Sequence, residues 1–259
     1  MRAIQDLKKY LGYMLYSAKA RLKAEVTNSY LNWIWWVLEP FCYMLIYTII
    51  FGYIFDSGED YFPVYIFIGS TLWTFFSKTI MASVTMVRSN LAVISKVYIP
   101  KYVLLISEMF VNGFKMLVSV GLTAIMLVIF KIHITWNIFW VLPIMAVFFL
   151  VTFAIGALLM HFGVYVNDLA QVVSIVLGML MYFTGIFFSI ESRVEEPMCS
   201  ILGIGNPVAF LLTSVRKAVM YESAPDVMIL GIWFLIALFL SIIAIRIIYK
   251  KENTYVRIM

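Results

Sequence analysis

The apolar residues of this chain fall in long runs separated by short polar connections. Six runs are long enough to form helices that cross a bilayer, which takes about 20 mostly apolar residues. They cover 33–55, 62–86, 103–130, 138–162, 170–190 and 227–248. Ahead of them, in IQDLKKYLGYMLYSAKARLKAEV, the apolar residues Ile4, Leu7, Leu11, Met14, Ala18 and Leu22 follow helical spacing. Most basic residues lie off that stripe, so the pattern predicts an amphipathic helix along a membrane surface, either a simple anchor or a docking face for a partner. Residues 191–225 form the one long connection. Within it Asn206 reads as an N-cap and Pro207 as the first residue of a helix. Val208, Leu211, Leu212, Val215 and Val219 share one face of that helix. At about 14 residues it is too short to span, so it is expected to be re-entrant or interfacial.

Composition agrees with the pattern. Of 259 residues, 64% are hydrophobic and 13% charged, and the mean hydropathy is +0.98. Soluble domains carry about 25% charged residues, so no water-facing surface can be built from this chain. The expectation is an all-α membrane protein with a single domain, 1–259. An interfacial segment 1–32 precedes a six-span bundle, 33–250, which carries the external re-entrant segment 191–225. Lys and Arg fix the orientation. Thirteen of the nineteen lie on one side of these spans, and only Lys131, Arg193, Arg216 and Lys217 lie on the other. By the positive-inside bias both termini are cytoplasmic. The net charge of +5 then reflects anchoring at one bilayer face and not nucleic-acid binding. A seventh span at 201–221 would put the basic tail after Arg246 outside and carry Arg216 and Lys217 into the membrane. The first 32 residues lack the continuous apolar core of a cleavable signal peptide.

At 100° per residue, Trp36, Tyr43, Tyr47, Trp33 and Phe51 gather within a sector of about 80° on the first span. Ordinary interfacial belts account for Trp33, Trp35 and Trp36, but a belt does not run as deep as Tyr47. Such a stripe suits a surface along which sugars slide, rings stacking on pyranose C–H faces while phenols exchange hydrogen bonds. Helix packing with buried tyrosines is the other reading. On the fifth span Met179, Phe183, Ile186, Phe187 and Ile190 share a face, opposite a small-residue pair, Ser174 and Gly178. That suits a channel wall, and equally a core helix.

Charges inside spans are costly and point to function by default. Glu108, Asn112, Lys115 and Ser119 form one polar stripe on the third span, predicting a Glu108–Lys115 ion pair bridged by Asn112, or else a proton relay or substrate site. Glu39 stands beside Pro40, whose missing N–H predicts a bend near the cytoplasmic end with the carboxylate reaching toward water. His133, His161, Cys42 and Cys199 match no metal or disulfide spacing, so no metal site is expected. No G-x-x-x-x-G-K-[ST] loop is present, so the chain is not expected to hydrolyse nucleotide itself. A membrane transferase acting on lipid-linked sugars would need acid–base groups at one interface. The outer segment offers Glu191, Glu195, Glu196, Glu222 and Asp226 without a motif.

Four stretches in order, NSYLNWIWWVLEPF, YFPVYIFIGSTLWTFFSKTI with SNLAVISKVYIPKYVLLISEMF, VYVNDLAQVVSIVLGMLMYFTGIFFS, and GNPVAFLLTSVRKAVMY, cover most of the chain. Together they resemble the ABC-2-type permeases of bacterial polysaccharide exporters, the O-antigen, capsule and teichoic-acid group. Asn32 replaces a glycine common in that group. Thr184, Gly185 and Ile186 replace its serine-proline before an aromatic. The resemblance implies a homodimer in the bacterial cytoplasmic (inner or plasma) membrane, with two copies of a separate ATPase that holds ATP and Mg. It implies no cofactor on this chain and a lipid-linked glycan as substrate, with a drug or lipid as the alternative cargo. The pathway would be lined by Trp33, Trp36, Tyr43, Tyr47, Phe51, Met179, Phe183 and Phe187. Ser89–Lys101 would touch the ATPase through Asn90, Val93, Ile94, Lys96, Val97, Tyr98 and Pro100. Asn206, Pro207 and Arg216 would belong to an external gate.

Overall fold

The computed structural model describes residues 2–27, 32–55 and 58–258, and every regular element among them is a helix. α1 (Arg2–Thr27) leads to a 3-10 turn, Asn32–Ile34, and then to α2 (Trp35–Tyr47), which runs on as a π-helical stretch, Thr48–Ile54. α3 (Phe62–Ser89) and α5 (Lys101–Ile129) flank the short α4 (Leu91–Ile94). A 3-10 turn, Trp136–Trp140, opens α6 (Val141–Tyr165), and α7 (Leu169–Phe183) follows. The short α8 (Ile190–Arg193) and α9 (Met198–Gly203) precede α10 (Pro207–Val219) and α11 (Val227–Ile258). The junction 28–31, predicted to belong to the interfacial segment, lies outside the described residues, as does the side chain of Ile4.

Five helical stretches among the described residues are long and apolar enough to cross a membrane. They are Trp35–Ile54, Phe62–Ser89, Lys101–Ile129, Trp136–Tyr165 and Val227–Glu252, matching five of the six predicted runs. The run 170–190 does not stay one helix. α7 stops after 15 residues, which is about 22 Å of helix against a hydrocarbon core of about 30 Å. Gly185 then adopts φ +69°, a conformation that costs glycine little, and the chain turns. Ile186, Phe187 and Ile190 return to the core, whereas Met179 and Phe183 stay exposed on α7, so the predicted shared face is split.

α3 is the centre of the bundle, mostly buried and packed by α2, α5, α6, α7 and α10. Phe67, Phe75, Phe148, Leu211 and Leu212 are among the side chains of its main core. Toward the other end a second core joins Met14 of α1 to Tyr102, Val103, Met160, Ile248 and Tyr255. α6 meets α3 with almost no clearance. A Cβ at Gly163 would lie 2.0 Å from the carbonyl oxygen of Val84, so only glycine fits there. α11 packs along α6, and α1 packs against α5. Of the predicted α1 stripe, Met14 and Ala18 are buried in the protein while Leu11 stays exposed.

Candidate functional site

The aromatic residues of α2 form a ladder. Tyr43 and Tyr47 stack with centroids 5.9 Å apart, one helical turn separating them. Tyr47 meets Phe187 edge-on at 5.0 Å, and Phe187 stacks on Phe51 at 4.3 Å. Phe51 in turn stacks on Phe55 at 5.8 Å. The stretch from Thr48 is π-helical, so the 100° register that aligns Trp36 with Tyr47 does not extend to Phe51. Phe187 joins because the Gly185 turn returns it to α2. Trp33 sits exposed in the 3-10 turn, and on α7 Phe183 stays exposed while Tyr182 reaches the ladder, its ring centroid 5.7 Å from that of Phe187. Trp36 lies at the lower end, edge-on to Phe114 of α5 at 5.7 Å.

Beside this ladder α1, α2, α3 and α5 enclose a cavity of about 480 Å³. Trp36, Tyr43, Tyr47 and Trp73 line it together with Glu25, Glu39, Lys78 and Lys115. Lys78 of α3 pairs with Glu39 of α2 at 3.2 Å, and Lys115 of α5 pairs with Glu25 of α1 at 2.7 Å. Asn112 is buried and donates to Thr79 at 3.0 Å. The predicted Glu108–Lys115 pair does not form. Seven residues along a helix is about 10 Å of rise, too far for direct contact. Each charge instead takes a partner on α1, and Arg21 binds the Glu108 carboxylate. Arg21 and Glu25 are one turn apart on α1, so their opposite charges meet Glu108 and Lys115 in matching order. Opposite signs at these four positions were the available sequence signal, but nothing local tied α1 to α5. Pro40 sits inside α2 without ending it, and the Glu39 carboxylate pairs with Lys78 while its side chain stays exposed.

Arg21 also binds Asn90, whose Oδ1 accepts a hydrogen bond of 3.1 Å. Asn90 precedes α4, in the loop predicted to touch the ATPase. There Val93, Lys96, Val97 and Tyr98 are exposed, whereas Ile94, Ile99 and Pro100 are buried. Of the predicted contact residues, Ile94 is therefore withdrawn: with the neighbouring Ile99 it belongs to the core around Tyr102. The loop is fastened from outside as well. Tyr98 donates to Glu252 of α11 at 2.7 Å, and Tyr10 of α1 donates to the Tyr98 carbonyl at 3.2 Å.

At the far end of the bundle Asn206 caps α10 as its sequence predicts, accepting from the N–H groups of Val208 and Ala209 at 3.1 and 3.4 Å. Pro207 opens the helix, and Val208, Leu211, Leu212 and Val215 are buried against α3 and α6. Arg216 is 2% exposed and donates to three backbone carbonyls, Tyr65 at 3.0 and 3.2 Å, Gly185 at 2.6 Å and Ile186 at 3.0 Å. Its guanidinium lies 3.4 Å over the Tyr65 ring, in space left open by Gly69. One cation thus ties α10 to the start of α3 and to the turn after α7. Nearby, Tyr221 donates to Glu59 at 2.9 Å, and burial pushes its phenol pKa up, with the Glu59 carboxylate adding to the shift.

No group of three His, Cys, Asp or Glu side chains that could hold a metal occurs among the described residues. The pattern of the ABC-2 type transporter family matches residues 16–220. Relatives include the O-antigen export system permease protein RfbA of Myxococcus xanthus, 24% identical over 222 residues covering 86% of this chain and 85% of that one. Two proteins of the same description from Klebsiella pneumoniae are each 21% identical over 239 residues, covering 92% of this chain and 91% of theirs. The matched region takes in α2 to α10, hence both the aromatic ladder and the charged cavity. The chain belongs to the ABC-2 type transporter family.

Proposed function

We propose that this chain is the membrane-spanning permease subunit of an exporter that carries lipid-linked polysaccharide across a bacterial cytoplasmic membrane. The observation behind the reading is the run of rings from Tyr43 through Tyr47 and Phe187 to Phe51 and Phe55. Repeated, similar stacking contacts let a chain advance without settling in one deep site, because conduction needs binding weak enough to leave. The description of the relatives as O-antigen export permeases supports the same cargo.

A member of this family works with a separate ATPase. In our reading two copies of each subunit assemble, ATP and Mg stay on the partner, and the pathway runs between the two permease copies. Tyr43, Met179 and Phe183 then face the pathway, with Tyr47, Phe51 and Phe187 behind them. The turn at 184–190 completes a sixth crossing begun by α7, and α10 re-enters the outer leaflet as a gate fastened by Arg216. α1 and both termini lie on the cytoplasmic side. The test replaces Tyr43 and Tyr47 together by Leu, which keeps bulk but removes the rings. Export of long polymer should fall strongly while the subunit is made normally and still stimulates its ATPase. Export at the unmodified rate would reduce the ladder to packing.

A further inference from the structure

The cavity between α1, α2, α3 and α5 carries its charges unevenly. Both cations stand on the long helices of the frame. Lys78 is 11 residues from the end of α3 and Lys115 is 14 residues from the start of α5, about 16 and 21 Å into the two helices. Both carboxylates come from the periphery, Glu39 from the largely exposed α2 and Glu25 from the last turns of α1. The carboxylate side chains of Glu39 and Glu25 are 47% and 45% exposed, so neither pair is sealed inside the protein. An anion can therefore approach each lysine and exchange with its carboxylate, the ammonium staying paired throughout. Without them the wall would hold two ammonium groups inside spanning helices, which requires a replacement anion.

The wall has further capacity for an oxygen-rich guest. Thr71 is 6% exposed, lines the cavity, and its hydroxyl has no hydrogen-bond partner among the described residues. Thr74 and Ser77 lie on the same wall. Immediately alongside runs a groove of about 1460 Å³ that is almost wholly apolar, lined by Leu15 and Leu22 of α1 and by Phe110, Phe114 and Leu117 of α5. Trp36, Thr71 and Met116 line both spaces. A charged compartment and an apolar one thus share a wall, which matches a ligand with an anionic head and a hydrocarbon tail.

We propose that this pair of compartments binds a lipid phosphate, the head held by Lys78, Lys115 and the Thr71 hydroxyl and the hydrocarbon chain laid in the groove between α1 and α5. Binding exchanges Glu39 and Glu25 for phosphate oxygens, so the two carboxylates are placeholders. Lysine suits this role as a point charge with three donors, one of which is spent on each present pair. A neutral sugar would instead use the carboxylates and ammonium groups alike, and a cation would need the carboxylates free of lysine. The proposal deepens the transport reading, on which it rests only for the identity of the lipid as the carrier end of the cargo.

The test titrates the purified full chain in lipid nanodiscs with farnesyl diphosphate, farnesol and inorganic pyrophosphate, following tryptophan emission, since Trp36 and Trp73 line the cavity. Farnesyl diphosphate should bind, and each of the other two should bind at least about tenfold more weakly. Lys78→Met and Lys115→Met should each weaken binding by about tenfold, while Lys78→Arg and Lys115→Arg retain it, which excludes misfolding as the cause. Glu39→Gln and Glu25→Gln should tighten binding. The proposal is overturned if farnesol binds as well as the diphosphate, or if the Met variants bind like the unmodified chain. Pyrophosphate binding as tightly as the lipid would overturn the lipid assignment. Glu→Gln variants that weaken binding as much as Lys→Met would assign the cavity to a neutral or cationic guest. Lipid-phosphate binding together with export indifferent to Tyr43 and Tyr47 would remove the glycan reading and leave this site standing. The reverse result would do the opposite.

Discussion

Phe51 and Phe187 stack face to face, ring centroids 4.3 Å apart and planes 21° from parallel, although one belongs to the π-helical stretch after α2 and the other to the turn after α7. Phe187 is 3% exposed, so the contact also fills core. Truncating Phe187 to Ala should cost about 3–5 kcal/mol and lower the amount of folded subunit in the membrane. Phe187→Leu should keep the fold and show the loss of the ring alone. Thermal unfolding in detergent, read beside polymer export, separates the two effects.

Arg21 and Glu108 should behave as a reciprocal pair. Arg21→Glu or Glu108→Arg alone leaves like charges facing across α1 and α5 and should cost about 1–3 kcal/mol of stability. The double exchange should recover most of that loss, because each charge again meets its opposite. A double-mutant cycle on thermal stability measures the coupling. Additive losses would mean that the two side chains do not sense each other.

Residues of the loop before α5 should divide by burial. Val93→Asp and Val97→Asp alter exposed positions and should leave the subunit folded while uncoupling ATP hydrolysis from export. Ile94→Asp places a charge in the core around Tyr102 and should reduce folded protein outright. Membrane abundance, ATPase stimulation and export measured on the three variants test the division.

The end of the bundle proposed to face outward allows a chemical test. With Cys42 and Cys199 replaced, a cysteine at Thr213 of the partly buried α10 should react roughly tenfold more slowly with an impermeant thiol reagent than one at the exposed Glu195. Arg216→Lys removes most of the bonds to the carbonyls of Tyr65, Gly185 and Ile186 and should raise reactivity at Thr213. Equal rates at 213 and 195 in the unmodified background would mean that α10 is a surface helix.

Five spans and the capped start of α10 are legible in sequence because their causes are local. Long apolar runs set the former, and Asn206 reaches N–H groups only two and three residues away. The aromatic stripe is legible as far as Tyr47, where the helix keeps its ordinary period, and not beyond, where the π-helical stretch begins. The place of Phe187 depends on one left-handed glycine, Gly185, which no periodicity reveals. The partners of Glu108 and Lys115 were hidden for another reason. They stand on α1, 87 and 90 residues away, and opposite charges are too common for that distance to be bridged from sequence.

The contact between Gly163 and the Val84 carbonyl limits how the molecule can work. Two backbones that touch leave no side-chain cushion to deform, so α3 and α6 cannot slide past each other without losing the fit. They form the stator of the subunit, with α11 bolted along α6. In the proposed exporter a stroke driven from the partner ATPase would fall to the largely exposed α2. That helix carries Glu39, Tyr43 and Tyr47, so the moving surface would be the one proposed to meet cargo.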